Sequence, residues 1–141
     1  SRMTRFWLTL DQGVRFVIRC IEQMQGGEVF VPKIPSMKVV DIAKVVAPDA
    51  ELEEVGIRPG EKLHEVLIHE DESRATVELE EMYVVQPSAP WWFGHGWQEK
   101  GQPLADGFRY SSDSNGVWLT LGEIEEIVAS IESEINERPM V

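Results

Sequence analysis

The feature that most restricts the fold is a helix that stops abruptly against a very short apolar strand. Thr9-x-x-Gln12 reads as a capping box. It opens a helix that runs to about Gln25, with Val14, Val17, Ile18 and Ile21 on one face. Gly26-Gly27 ends that helix. Glu28 to Val31 follows as a strand bounded by Pro32 and Pro35, of a type suited to the interior of a parallel sheet. Ser36 is placed to cap a second helix, with Val39, Ile42, Ala43 and Val46 at helical spacing, and Pro48 stops it. Leu52 to Ile57 reads as another strand, and Glu61 to Leu67 as the start of a third helix. Helix–strand–helix–strand–helix is the order of the closing units of an α/β sheet with a small appended lobe.

The second half is less regular. Ala75 to Gln86 alternates enough for one or two strands. Residues 88–141 form an irregular Trp-, Gly- and Pro-rich segment followed by a carboxy-terminal helix, expected to belong to the same domain as 1–87. Thr120-x-x-Glu123 is a second capping box and opens that helix, which runs to about Asn136. Leu121, Ile124, Val128, Ile131 and Ile135 form a seam of two heptads, fewer than a coiled coil needs. Docking on the chain's own domain is therefore expected, with pairing between subunits as the alternative. There is no internal repeat.

One domain is expected at 141 residues, and a hydrophobic fraction of 43% suffices for a packed core. No apolar run approaches the roughly 20 residues that span a bilayer, so no membrane partner is expected. With no charged-then-apolar leader and with Cys20 alone in an apolar helical pattern, the expectation is a cytoplasmic chain with a buried structural cysteine. Residues 1–47 hold seven Lys/Arg against four Asp/Glu, and residues 48–141 hold six against twenty-one. A net charge of −12 disfavours nucleic acid, whose phosphates need clustered cations. A polyanionic ligand has to find local cationic groups, and Arg5 and Arg58 are the candidates.

Val55-Gly56-Ile57-Arg58-Pro59-Gly60-Glu61-Lys62-Leu63-His64-Glu65 concentrates that chemistry. Arg58 offers a planar fork of donors for phosphate oxygens, Pro59-Gly60 turns the chain, and Glu61 can accept from the hydroxyls of a ribose. The alternative reading is a surface turn within a solvated charge run. Lys33 sits at the carboxyl end of a strand, where open α/β sheets place ligands; a solvated loop lysine is the alternative. His64, His69 and His95 match no zinc spacing, so no metal is expected. Trp91-Trp92-Phe93-Gly94-His95-Gly96-Trp97 places aromatics among glycines, suited to wrapping the chain's own core or an interface more than to stacking a ligand.

Arg58 to Glu65 resembles the Arg-Pro-Gly-Glu-Lys-x-x-Glu segment of the inverting UDP-N-acetylglucosamine 4,6-dehydratases, which are extended short-chain dehydrogenase/reductases. Met3 to Gly13, Gly26 to Ser36 and Met82 to Pro87 agree with that family in order and spacing. The likeness is strong from Arg2 to Pro87 and weaker beyond, where Tyr110-Ser111-Ser112 and Asn115 to Leu119 still resemble the family's tail. The resemblance implies the carboxy-terminal part of such an enzyme: the edge of a nucleotide-binding sheet plus a small substrate-binding lobe, with the amino-terminal Rossmann core absent. It implies Arg5 and Arg58 as pyrophosphate contacts and Glu61 as a ribose contact.

The family's NADP or NAD, its Gly-rich turn and its Tyr-x-x-x-Lys pair belong to the amino-terminal half. Here there is no Gly-x-Gly-x-x-Gly, and Tyr83 and Tyr110 are followed four residues on by Pro87 and Ser114. The expectation is thus a UDP-sugar-binding region with no cofactor and no catalytic residue of its own, inactive alone. The alternative is an assembly module that self-associates as a homo-oligomer or complements a separate cofactor domain through an apolar face left uncovered. Met3 can be a natural start, or the chain a piece of a longer protein; the sequence leaves both open.

Overall fold

The computed structural model describes residues 2–89, 92 and 96–137. A short strand β1 (Thr4–Phe6) leads into α1 (Leu10–Gln23). Then come β2 (Val29–Pro32), β3 (Ser36–Lys38), α2 (Val39–Val46) and β4 (Val66–Ile68). One 3-10 turn precedes β5 (Thr76–Glu78) and β6 (Met82–Val85). A four-residue helix α3 (Trp97–Lys100), strands β7 (Gln102–Pro103) and β8 (Tyr110–Ser111) and the long α4 (Leu121–Glu137) complete the chain. The class is mixed α/β, as the alternating elements imply.

The main sheet has the order β2-β6-β5-β7, and every pairing in it is antiparallel. This corrects the reading of Glu28–Val31 as an interior strand of a parallel sheet. The cause is visible in the register. Val31 lies opposite Tyr83 and faces a cluster with Ile68 and Tyr110. Phe30 lies opposite Val84 and packs on the other cluster, with Val77, Met82 and Trp97. A sheet covered on both faces gives an unbroken apolar run whatever its strand direction.

Three further expectations fail locally. Ser36 does not cap a helix. It belongs to β3, fully buried, its hydroxyl accepting from Asn115 Nδ2 at 3.0 Å, and α2 begins at Val39. Leu52 to Ile57 is irregular, and Leu52, Val55 and Ile57 are 57–73% exposed. The pattern favours a strand, but among the described residues no neighbouring strand pairs with it. Glu61 to Leu67 is not helical either. Its carbonyls at 62 and 63 are taken by Arg5 and Thr4, and Val66–Ile68 pairs with β8. Tertiary partners override a local helix preference here.

The tail ties the halves together. Tyr110 Oη donates to Ile34 O at 3.0 Å and accepts from Ile34 N at 2.9 Å. Asn115 Nδ2 reaches Ile34 O at 2.8 Å, and Ser36 exchanges backbone bonds with Val117 and Leu119. The 120–123 capping box forms, and α4 packs against α2. Ile124 is fully buried, whereas Leu121, Ile131 and Ile135 are 37–64% exposed, so the seam docks on the chain itself only in part.

The Trp-rich stretch serves the interior where it is described. Trp97 is fully buried, edge-on to Phe30 at 5.6 Å, and Trp92 donates to Gly26 O at 2.5 Å. Trp91, Phe93, Gly94 and His95 lie outside the described residues. Helix α1 is the exception to good packing. Its capping box is complete, yet none of its residues is buried. Leu8, Leu10, Val14, Val17, Ile18, Ile21 and Met24 are 40–79% exposed. Cys20 is half-buried rather than buried, because its helix covers so little; burial still pushes its thiol up, partly offset by Arg19.

Candidate functional site

The segment from Arg58 to Glu65 divides into a free turn and a fixed stem. In the turn, Glu61 N donates to Arg58 O at 3.0 Å, and the Glu61 carboxylate accepts from Arg58 N at 3.1 Å. Gly60 has φ 82°, a conformation glycine adopts without strain. The whole stretch 51–62 is exposed. The Arg58 side chain is exposed, and its guanidinium makes no hydrogen bond or ion pair among the described residues.

The stem is held on every side. Thr4 N donates to Leu63 O at 3.1 Å. Arg5, on β1, donates from Nη1 to Thr4 O at 2.7 Å and Leu63 O at 3.3 Å, and from Nη2 to Lys62 O at 2.8 Å. Its Nε lies 3.5 Å from Glu65 Oε1. Below this, Thr4 Oγ1 meets His64 Nδ1 at 2.8 Å and Ser112 Oγ at 2.7 Å. Ser112 Oγ accepts from Glu65 N at 2.9 Å, and Ser111 Oγ donates to Glu65 O at 3.0 Å. Ser111 also donates to the Asp113 carboxylate, which holds that acid below the usual carboxylate range, with His64 and Arg109 adding to the effect.

Arg5 thus bonds the carbonyl of Lys62, the residue that follows the Arg58–Glu61 turn. Lys33 is elsewhere, on the face of the main sheet that carries Tyr83. Its Nζ pairs with Glu78 at 2.7 Å and lies 5.0 Å over the Tyr83 ring. Burial, then Glu78 and Tyr110, push the Tyr83 phenol up to about 12; burial also raises Tyr110. Phenols held neutral in this way, one of them bonded to both Ile34 backbone atoms, act as core struts. No group of three or more His, Cys, Asp or Glu among the described residues is arranged to hold a metal. No helix among them is long and apolar enough to cross a membrane.

Thr4 and Ser112 were not singled out by residue type. Each is a small hydroxyl with no local signature, Thr4 in β1 and Ser112 in the turn after β8, and they lie 108 positions apart. Glu65 reads from sequence as part of a charged helix face; the fold makes it the acidic partner of Arg5. The pairing of β4 with β8 and the bonds from β1 to Lys62 and Leu63, which no local pattern encodes, bring these groups together.

Residues 1–87 match the family model described as "Polysaccharide biosynthesis protein". A UDP-N-acetylglucosamine 4,6-dehydratase (inverting) from Campylobacter jejuni is 46% identical over 134 residues, which is 91% of this chain and 40% of that protein. The capsular polysaccharide biosynthesis protein CapD of Staphylococcus aureus is 37% identical over 89 residues, 57% of this chain and 15% of that protein. The X-ray structure of Pen from Bacillus thuringiensis superposes with a TM-score of 0.75 at 28% identity, covering 93% of this chain and 40% of that one. The chain thus spans about 40% of the length of the first curated relatives it matches. On the match of residues 1–87, the chain belongs to the polysaccharide biosynthesis protein family.

Proposed function

We propose that this chain is the sugar-nucleotide-binding part of a UDP-N-acetylhexosamine 4,6-dehydratase-like protein. The observation that carries the reading is Arg58, a guanidinium with no partner among the described residues, presented on a turn that its neighbour Glu61 closes. The identity to an inverting UDP-N-acetylglucosamine 4,6-dehydratase supports the ligand class. A diphosphate meets Arg58 through paired donors, and a ribose diol meets Glu61, whose second carboxylate oxygen is free to accept. Arg5 contributes positive charge beside the turn. Lys33 reaches a sugar only by leaving Glu78.

The residues present do not fit a nicotinamide cofactor. The sequence has no Gly-rich dinucleotide turn, and Tyr83 and Tyr110 are packed in the core without a lysine four residues on. No redox step is derived for this chain, and no turnover is expected from it alone. Ligand-observed NMR with UDP, UDP-N-acetylglucosamine and uridine tests the binding claim. The expected result is saturable binding of the two diphosphates, weakened about tenfold by Arg58→Ala, as loss of a charge-assisted contact predicts. Equal binding of uridine, or no effect of the substitution, contradicts it.

A second reading is favoured by one observation, the uncovered apolar face of α1. On this reading the chain is an assembly module that pairs with a copy of itself or with a separate cofactor-binding domain. The groove beside that face has a volume of about 640 Å³ and is lined by Leu8, Leu10, Val14, Phe16, Val17 and Pro32 among others. Sedimentation velocity over a concentration series tests self-association directly. A monomer throughout leaves only the separate domain as occupant.

A further inference from the structure

We infer that Arg5 is a positioning residue for the Arg58 turn, acting on it through the backbone rather than by touching the ligand. The inference rests on the reading that the turn meets a diphosphate. Three donors of Arg5 are committed to main-chain carbonyls, those of Thr4, Lys62 and Leu63, and Nε faces Glu65. Its side chain is only one-quarter exposed. A group so occupied has little left to offer a phosphate, but it fixes where the stem begins.

The geometry explains why that matters. Among the described residues, 55–61 make no backbone bond to the body of the protein; the turn's own Arg58–Glu61 bonds are internal to it. Lys62 is the first residue downstream that the body holds, and it is Arg5 that holds it. A tight turn keeps its end Cα atoms within about 7 Å, and one further residue adds about 3.8 Å, so Arg58 stays within about 11 Å of Lys62. Fixing the Lys62 and Leu63 carbonyls therefore limits the arc that the Arg58 fork can sweep. Thr4 and Ser112 hold the next three residues, Leu63, His64 and Glu65, and they orient the stem without reaching Lys62.

Lysine keeps the charge but cannot bridge three carbonyls from one planar group. This makes Arg5→Lys the discriminating variant, with Arg58→Ala as the comparison. Two measurements are needed. The first is amide hydrogen exchange without ligand. Arg5→Lys is expected to speed exchange at Thr4 and Glu65 about tenfold while leaving Val31 and Val84 in the main sheet unchanged, because stem opening is local. Unchanged exchange at Thr4 and Glu65 overturns the clamp, and accelerated exchange everywhere overturns a local role.

The second measurement is UDP affinity over a range of salt concentrations. Arg5→Lys is expected to weaken binding about tenfold with the wild-type salt dependence, whereas Arg58→Ala lowers the salt dependence by removing a charge contact. Wild-type affinity in Arg5→Lys indicates that charge alone suffices and overturns the positioning role. Should the wild-type chain bind no UDP, the binding reading fails by itself. The clamp is then decided by the exchange data alone, where acceleration confined to the stem upholds it.

Discussion

The indole of Trp97 donates to Glu28 Oε1 at 3.1 Å, joining the aromatic segment to the start of β2. The same carboxylate accepts from Gln25 N at 2.8 Å and Gly26 N at 2.7 Å. One acid thus closes the α1–β2 turn and seats the largest fully buried side chain.

Glu28 makes the fold sensitive to acid. Burial works to raise its pKa, but the N–H donors of the turn and the Trp97 indole outweigh that and hold it below the ordinary 4.5. A group depressed in the folded state adds stability above its unfolded value and loses it as pH falls through the folded one. Melting temperature is expected to drop as pH falls below 4.5, and Glu28→Gln, which keeps an acceptor but not the charge, is expected to flatten part of that drop. Thermal melts followed by Trp fluorescence check this; an unchanged pH profile in the variant refutes it.

Gly101 is required for close approach. A Cβ there would lie 2.3 Å from Glu78 O and 2.6 Å from Val77 Cγ1. The strain is steric, since the backbone at 101 is extended, with φ −144°. Gly101→Ala is expected to cost about 1–3 kcal/mol by forcing β5 and the α3–β7 turn apart. Urea unfolding measures it.

Tyr110 links the tail to the β2–β3 connection through both Ile34 backbone groups. Tyr110→Phe keeps the ring against Phe6 and Tyr83 but strands the Ile34 N–H, while Ile34 O keeps its bond from Asn115 Nδ2. A loss of about 1–3 kcal/mol is expected from the unsatisfied donor. A variant as stable as wild type shows that water replaces the hydroxyl without penalty.

The α1 face gives the opposite expectation for stability. Val17 and Ile21 are more than half exposed, so Val17→Lys with Ile21→Lys is expected to change unfolding free energy by only about 0.5 kcal/mol. Where the apolar face drives association, the same pair abolishes concentration-dependent growth in apparent mass. Light scattering behind size exclusion reads both species.

How much was legible in the sequence depends on where each signal resides. The capping boxes at Thr9 and Thr120 and the breaks at Gly26 and Pro48 are local chemistry, and both long helices form where these place them. The alternation from Ala75 to Gln86 leaves one or two strands open, and two form there, β5 and β6. Strand direction was not legible, because Phe30 and Val31 are covered on opposite faces, and that removes the polar alternation that marks an antiparallel strand. The helix expected from Glu61 was overruled by Arg5 and Ser112, residues distant in sequence that satisfy its backbone. The turn itself was legible from Arg58-Pro59-Gly60-Glu61. Its anchoring was not, because it depends on Thr4 and Ser112 meeting across the fold.

The central claim is tested most directly by mapping amide shifts of the isotope-labelled chain during titration with UDP-N-acetylglucosamine. The account predicts saturable shifts centred on Arg58 to Glu65 and extending to Thr4 and Arg5, their midpoint moved about tenfold higher in Arg58→Ala. Shifts confined to the α1 face, or none at millimolar ligand in a well-dispersed spectrum, would contradict it and leave assembly through α1 as the better account.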